Sequence, residues 1–350
     1  MKNKAKNIIL AVVLAIVVFL ITNIVGTFIN AYNPNPQEPV YLTGETDKKL
    51  SPDKIKILSF NTCHAALGKD SDSSKEGGNG RLVSAENVLI NTRGICEIVN
   101  LSNADAVILQ DVDRDSYRSR YVDEYSYYLG NSSLIGAYAL DYKSDATAFL
   151  PPYKKVEAGL LTLSEKGVFS AERVSLPSGY DFLDAAISPK RAMLVTRYNI
   201  EGTENKLVLI NFELDAYTTE EKRTQQLEFV IDYAQKAAQN GDYVVAGGSF
   251  YMSFDQTAER YPLKNNRWKP GVYESANLKK GWKLCYDAAV ATARVLDAPY
   301  DSKMPQEDKQ LYVADGFIVS PNIEVKMAVT VDQQFRYSAH NPVLLEIKLK

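Results

Sequence analysis

Apolar residues fill the chain from Ile8 to Ile29 (IILAVVLAIVVFLITNIVGTFI) without a single charge. At about 1.5 Å per residue, a helix of that length covers roughly 33 Å, the depth of a bilayer core. No face of it is polar, which disfavours a core helix of a soluble domain. Lys2, Lys4 and Lys6 precede it, and such charge stays on the cytoplasmic side. The pattern predicts a single-pass cell-membrane anchor within residues 1–30, N-terminus cytoplasmic and body extracytoplasmic. The competing element is a cleaved signal peptide, whose apolar core is about 7–15 residues. Here the apolar stretch runs on to Ile29, and no clear pair of small residues marks a cleavage site.

Beyond the anchor the pattern changes twice. Pro34, Pro36, Pro39 and Pro52 lie among polar residues, which excludes a helix and predicts an extended linker over 31–54. The folded body should then occupy 55–350, with no second boundary. Ile55–Phe60 alternates at period two, and Ala104–Gln110 is a short apolar run; both read as strands. Between them Ser84–Leu101 spaces Val88, Ile95, Ile98 and Val99 along one helix face. Thr219–Gln239 repeats that pattern with Leu227, Val230, Ile231 and Ala234, and Tyr243–Ala246 follows as a strand. Gly159–Leu163, Ala171–Leu176, Ala192–Tyr198, Lys206–Leu214, Asp315–Val319, Ile323–Val331 and Pro342–Leu349 also read as strands, without helices between all of them. Helical crossovers mixed with consecutive strands predict sheets that are not purely parallel.

Composition narrows the function classes. The 350 residues are 45% hydrophobic and 24% charged, a globular balance. Forty basic against 43 acidic residues give a net charge of −3, and three of the basic ones sit before the anchor. A mildly acidic body is a poor nonspecific phosphate binder, so nucleic acid is a disfavoured partner. Cys63, Cys96 and Cys285 are too few and scattered for a disulfide framework or zinc cluster. There are only two histidines, His64 and His340.

Six strand-end segments carry chemistry when taken together. They are Leu58-Ser59-Phe60-Asn61-Thr62, Leu109-Gln110-Asp111-Val112-Asp113, Leu209-Ile210-Asn211-Phe212-Glu213-Leu214, Ala246-Gly247-Gly248-Ser249-Phe250-Tyr251, Asp315-Gly316-Phe317-Ile318 and Ser338-Ala339-His340-Asn341-Pro342. In this order they resemble the motifs of the endonuclease/exonuclease/phosphatase superfamily, most closely its bacterial membrane-anchored branch, across Ile55 to Leu349. The resemblance implies a four-layer α/β sandwich of the DNase I-like type, two mixed sheets flanked by helices. It also implies a metal-dependent phosphoester hydrolase in which Asn61 helps hold metal and phosphate and Asp111 stands for the chief magnesium ligand.

Several positions depart from that pattern. Glu213 stands for a phosphate-contacting His, Ser249 for the Asp that activates water, and Tyr251 for a phosphate-binding Asn. Ala339 stands for the acid beside His340. A carboxylate base typically contributes about 10²–10⁴ in rate, and Ser249 cannot supply it. Loss of an orienting acid costs about 10⁴ in a known triad. A carboxylate at position 213 would repel phosphate. The expected function is therefore an impaired hydrolase or pseudoenzyme with a binding role, toward a phosphate-containing ligand or a protein partner. The alternatives are an active metal-dependent phosphodiesterase or phosphatase with a rebuilt site, and a surface protein without ligand.

The candidate remnant site is His340 and Asn61, with Asp111, Asn61, Asp315 and Glu213 as weak Mg²⁺ ligands, since oxygen donors suit a hard cation. Each residue has a plainer reading. Asp111 or Asp113 could cap the turn after a strand, Asp113 could be a solvated loop acid, Asp315 a turn residue and Glu213 a surface acid. Cys63 fits a buried spectator better than a nucleophile. Tyr117, Tyr121, Tyr125, Tyr127 and Tyr128 fit packing or rim positions better than a stacking platform. Arg118 and Arg120 beside them could meet an anion.

Overall fold

Two large sheets form the frame of the body in this computed structural model, which describes residues 2–29, 31–81, 83–144, 155–181, 184, 186–262, 269–305 and 309–350. The first has seven strands in the order β1 (Gln37–Pro39), β6 (Val168–Ser175), β7 (Ala192–Asn199), β8 (Lys206–Glu213), β9 (Tyr243–Ser249), β15 (Asp315–Val319) and β12 (Lys283–Cys285). The second has six, in the order β16 (Ile323–Thr330), β17 (Val343–Leu349), β2 (Ile55–Asn61), β3 (Ala106–Asp113), β5 (Val156–Ser164) and β4 (Ile135–Ser144). Two short pairs, β10 (Met252–Phe254) with β11 (Gly271–Tyr273) and β13 (Ala293–Arg294) with β14 (Leu311–Tyr312), stand apart.

Among the described residues, one neighbouring pair in each large sheet is parallel, β2 with β3 and β8 with β9. A parallel pair needs a crossover. Helix Ala85–Leu101 makes the first and helix Glu220–Gln239 the second. Ser84 and Thr219 cap these helices, accepting from the backbone N–H of Asn87 and Lys222.

Side-chain alternation builds the layers. In β8, Val208, Ile210 and Phe212 pack with Leu227, Val230 and Ala234 of helix Glu220–Gln239. Leu207 and Leu209 turn the other way and meet Ile57, Ile108 and Leu345 of the second sheet. Leu58, Phe60, Val107 and Leu109 pack under Val88, Ile95 and Val99 of helix Ala85–Leu101. The result is helix, sheet, sheet, helix: the expected four-layer sandwich of mixed sheets.

The N-terminal helix Lys2–Ile29 is long and apolar enough to cross a membrane, and its large apolar side chains from Ile8 to Ile29 are mostly exposed. The 31–54 segment is extended, as its prolines require, yet it lies along the body. Gln37–Pro39 pairs antiparallel with β6. Leu42 bridges to Ala137 and Leu50 to Ile200, and Leu50 is buried between the sheets. Strand β4 lacks a clear apolar alternation in the sequence and is an addition that the structure makes.

Candidate functional site

Sheet topology decides where the six segments end. Asn61 closes β2, Glu213 closes β8, and Asp111 and Asp113 lie at the end of β3. Ser249 closes β9 beside Glu213. Strand β15 runs antiparallel to β9, so its first residue, Asp315, sits opposite Ser249. His340 precedes β17, which is antiparallel to β2, and bridges to Ala293. All of these residues therefore gather at one edge of the sandwich, where sheets of this class collect their sites.

Their contacts form one network. Asn61 Nδ2 donates to Ser249 Oγ at 3.0 Å, to the Tyr251 hydroxyl at 3.3 Å and to Glu213 Oε1 at 3.5 Å. Asn61 Oδ1 accepts from the Cys63 N–H. Ser249 Oγ donates to Asp315 Oδ1 at 2.5 Å, and His340 Nδ1 donates to Asp315 Oδ2 at 2.8 Å. The expectation that His340 has lost its acidic partner at Ala339 is thus corrected. Asp315, 25 residues upstream, orients it from the neighbouring sheet. Asp315 is accordingly neither a turn residue nor an open ligand, because both its oxygens are taken. Tyr251 donates to Glu213 at 3.1 Å and lies edge-on to His340, 5.7 Å between ring centres.

The other acids contradict their plainer readings. Asp111 sits in a β-bulge of β3 with φ 55°. Its Oδ2 accepts from His64 Nδ1 at 2.8 Å and its Oδ1 from Arg118 Nη2 at 2.6 Å. Burial pushes its carboxyl up, but Arg118 and His64 outweigh this and hold it well below the usual carboxylate range. Asp113 is fully buried and accepts from Arg118 Nε and Nη2. Glu213 is also buried, with Arg191 Nη1 at 2.6 Å from Oε2. Arg191 further holds Asp141 at 2.9 Å and Asp215 at 3.3 Å. Burial pushes Glu213 up to about 8, with Arg191 opposing and Asp111 and Asp141 adding to the rise.

Of these residues His64, Asp111, Arg118, Arg191, Glu213, Tyr251 and His340 line a cleft of about 270 Å³, shared with Lys75, Glu76, Tyr217, Arg294 and Tyr312 among others. Asn61, Ser249 and Asp315 are buried behind that lining. Cys63 is buried at its edge, its thiol pushed far up by burial, as a spectator's would be. None of Tyr117, Tyr121, Tyr125, Tyr127 and Tyr128 lines it. Tyr128 is core, while Arg120 turns to the Val83 carbonyl. Strain collects here: Cys63, His64, Ala65, Asp111 and Tyr251 all have φ between 45° and 55°. Non-glycine residues held there cost of order 1–3 kcal/mol each, and such strain clusters at ligand clamps and active sites.

The magnesium expected from the resemblance does not fit this donor set. A hard cation needs several carboxylate or carbonyl oxygens free to converge. Asp111, Asp315 and Glu213 already accept from His64, Arg118, Ser249, His340, Arg191 and Tyr251, and the Asn61 oxygen faces the Cys63 N–H. Among the described residues, no group of three or more His, Cys, Asp or Glu side chains is placed to hold a metal ion.

Arg191, Asp141, Asp215 and Arg294 carry no motif in the sequence. Arg191 stands at the mouth of β7, whose Ala192 and Met193 run antiparallel to the end of β8. Only that pairing brings it to Glu213.

No family model matches the chain, and no curated protein matches it. Solved structures do. An endonuclease/exonuclease/phosphatase from Beutenbergia cavernae is 14% identical with a TM-score of 0.55, over 85% of this chain and 72% of that one. One from Bacteroides vulgatus is 16% identical, TM-score 0.52, over 85% and 99%. ANGEL2, a 2′,3′-cyclic phosphatase, is 13% identical, TM-score 0.53, over 89% and 99%. At such identities the likeness speaks for architecture alone. The chain has the fold of the endonuclease/exonuclease/phosphatase, or DNase I-like, proteins.

Proposed function

We propose that this is a membrane-anchored, extracytoplasmic protein that keeps the cleft of this fold as a binding site and has lost phosphoester hydrolysis. The observation that carries it is Ser249. The resembled motif has its water-activating carboxylate at this position, and here a hydroxyl donates to Asp315. Among the described residues, the acids lining the cleft are all engaged: Asp111 by Arg118 and His64, Glu213 by Arg191 and Tyr251, and Glu76 by Tyr217 and the Leu296 N–H. The concentration of backbone strain at the cleft supports a retained ligand rather than an idle surface. The uncharged stretch Ile8–Ile29 behind three lysines supports the anchor and its orientation.

The test is hydrolysis of a panel of phosphodiesters and phosphomonoesters, cyclic phosphates included, by the purified chain with magnesium, manganese or calcium. Turnover no higher than that of the Ser249→Ala variant is expected. One observation favours a rebuilt hydrolase as second reading: a carboxyl held near 8 in a cleft, Glu213, is what a general acid requires. Robust turnover abolished by Glu213→Gln would establish that reading and remove the first.

A further inference from the structure

Two guanidinium groups hold five acids at the ends of β3, β4 and β8. Arg118 Nη2 lies 2.6 Å from Asp111 and 2.7 Å from Asp113, and its Nε donates to both Asp113 oxygens. Arg191 Nη1 bridges Asp141 and Glu213, and its Nε reaches Asp215. Both side chains are largely buried, 23% and 10% exposed.

We propose that Arg118 and Arg191 supply the positive charge that a divalent cation supplies in the resembled family, so that this cleft meets its ligand without a metal ion. The inference rests on reading the cleft as a retained binding site. Three physical points support it. A buried guanidinium is charged at every working pH, and its planar fork fixes donors on paired carboxylates as an ion would. A divalent cation arriving at Asp111 would have to expel Arg118 or His64 from oxygens they already fill, or sit beside an uncompensated like charge. Finally, Arg118 Nη1 and Arg191 Nη2 have no hydrogen-bond partner among the described residues, although both residues line the cleft. An anion entering therefore finds guanidinium donors available.

The experiment titrates the full chain, purified in detergent and treated with chelator, with magnesium, manganese and calcium chloride. Calorimetry and thermal melts are read against sodium chloride at matched ionic strength. The wild type should show no saturable heat and no change in Tm beyond the salt control. Arg118→Met keeps apolar bulk and removes the charge, leaving Asp111 and Asp113 uncompensated. Its Tm should fall, and millimolar magnesium or manganese should recover it saturably where sodium does not.

Saturable binding to the wild type near or below about 1 mM would overturn the inference. So would a folded Arg118→Met chain indifferent to divalent cations. If that variant does not fold, the wild-type titration decides alone. Cation binding without turnover would remove this inference and leave the proposed function standing. Turnover without any metal would do the reverse.

Discussion

Glu213 shares Arg191 with Asp141 and Asp215 in a site where burial outweighs the ion pair. Unfolded, its carboxyl ionises near the ordinary 4.5; folded, near about 8. Between these values the folded chain holds a proton that the unfolded chain has released. Its contribution to stability is complete below about pH 4.5, declines as pH rises, and is gone above about pH 8. Glutamine at 213 is neutral throughout, so Glu213→Gln should gain on the wild type as pH rises from about 5 to 8. Paired melting curves across that range check it, and a constant difference would count against the buried proton. Asp315 is the other single residue on which much depends. Asp315→Ala leaves Ser249 Oγ and His340 Nδ1 buried without their acceptor, at about 1–3 kcal/mol each. Urea unfolding should show the loss even where no activity exists to measure.

Strand β9 and the 31–54 segment show how whole elements place the site. Gly248 has φ +147°, and a Cβ there would meet the Phe212 carbonyl at 1.8 Å. Phe212 is its partner in the parallel β8–β9 pair, one residue before Glu213 and Ser249 face each other. Gly248→Ala should therefore destabilise the fold by about 3 kcal/mol or more, read by denaturant melts, because backbone and not a flexible side chain must move. The proline-rich segment acts on the far edge. It covers β6 with Gln37–Pro39 and sends Leu50 between the sheets. A soluble body starting at residue 55 should be less stable than one starting at residue 31. Burial of Leu50 alone contributes about 1.5–3 kcal/mol, and β6 is left as an open edge prone to pairing with other chains. Equal unfolding midpoints would show that the segment merely tethers.

For the whole molecule, the helix Lys2–Ile29 is long and apolar enough to cross a membrane, and the proposed anchor can be tested directly. An uncleaved anchor predicts that the intact chain resists alkaline extraction from membranes and keeps its first residues on N-terminal sequencing. A new N-terminus beyond Ala31 would mean a cleaved signal peptide. With Lys2, Lys4 and Lys6 inside, protease added to spheroplasts should digest the body.

Some of this molecule follows from local pattern. Period-two runs such as Ile55–Phe60 and the helix face of Ser84–Leu101 depend on near neighbours, so the crossovers, the mixed sheets and the apolar N-terminal helix are legible in the sequence. Asn61, Asp111, Glu213, Ser249, Asp315 and His340 are legible too, since each lies at or near a strand end in a recognisable short motif. Their states are not. Asp315 becomes the partner of His340 only because β15 lies beside β9 while β17 lies beside β2. Asp113 reads as a loop acid until the β3 bulge and Arg118 bury it. Arg191 has no motif, and nothing within the chain's local pattern ties it to Glu213, 22 residues away. Charge pairing in a buried cleft is a property of distance in space, and register between strands sets those distances. The sequence determined which acids and histidines are available; the tertiary structure alone decided which cation each acid meets.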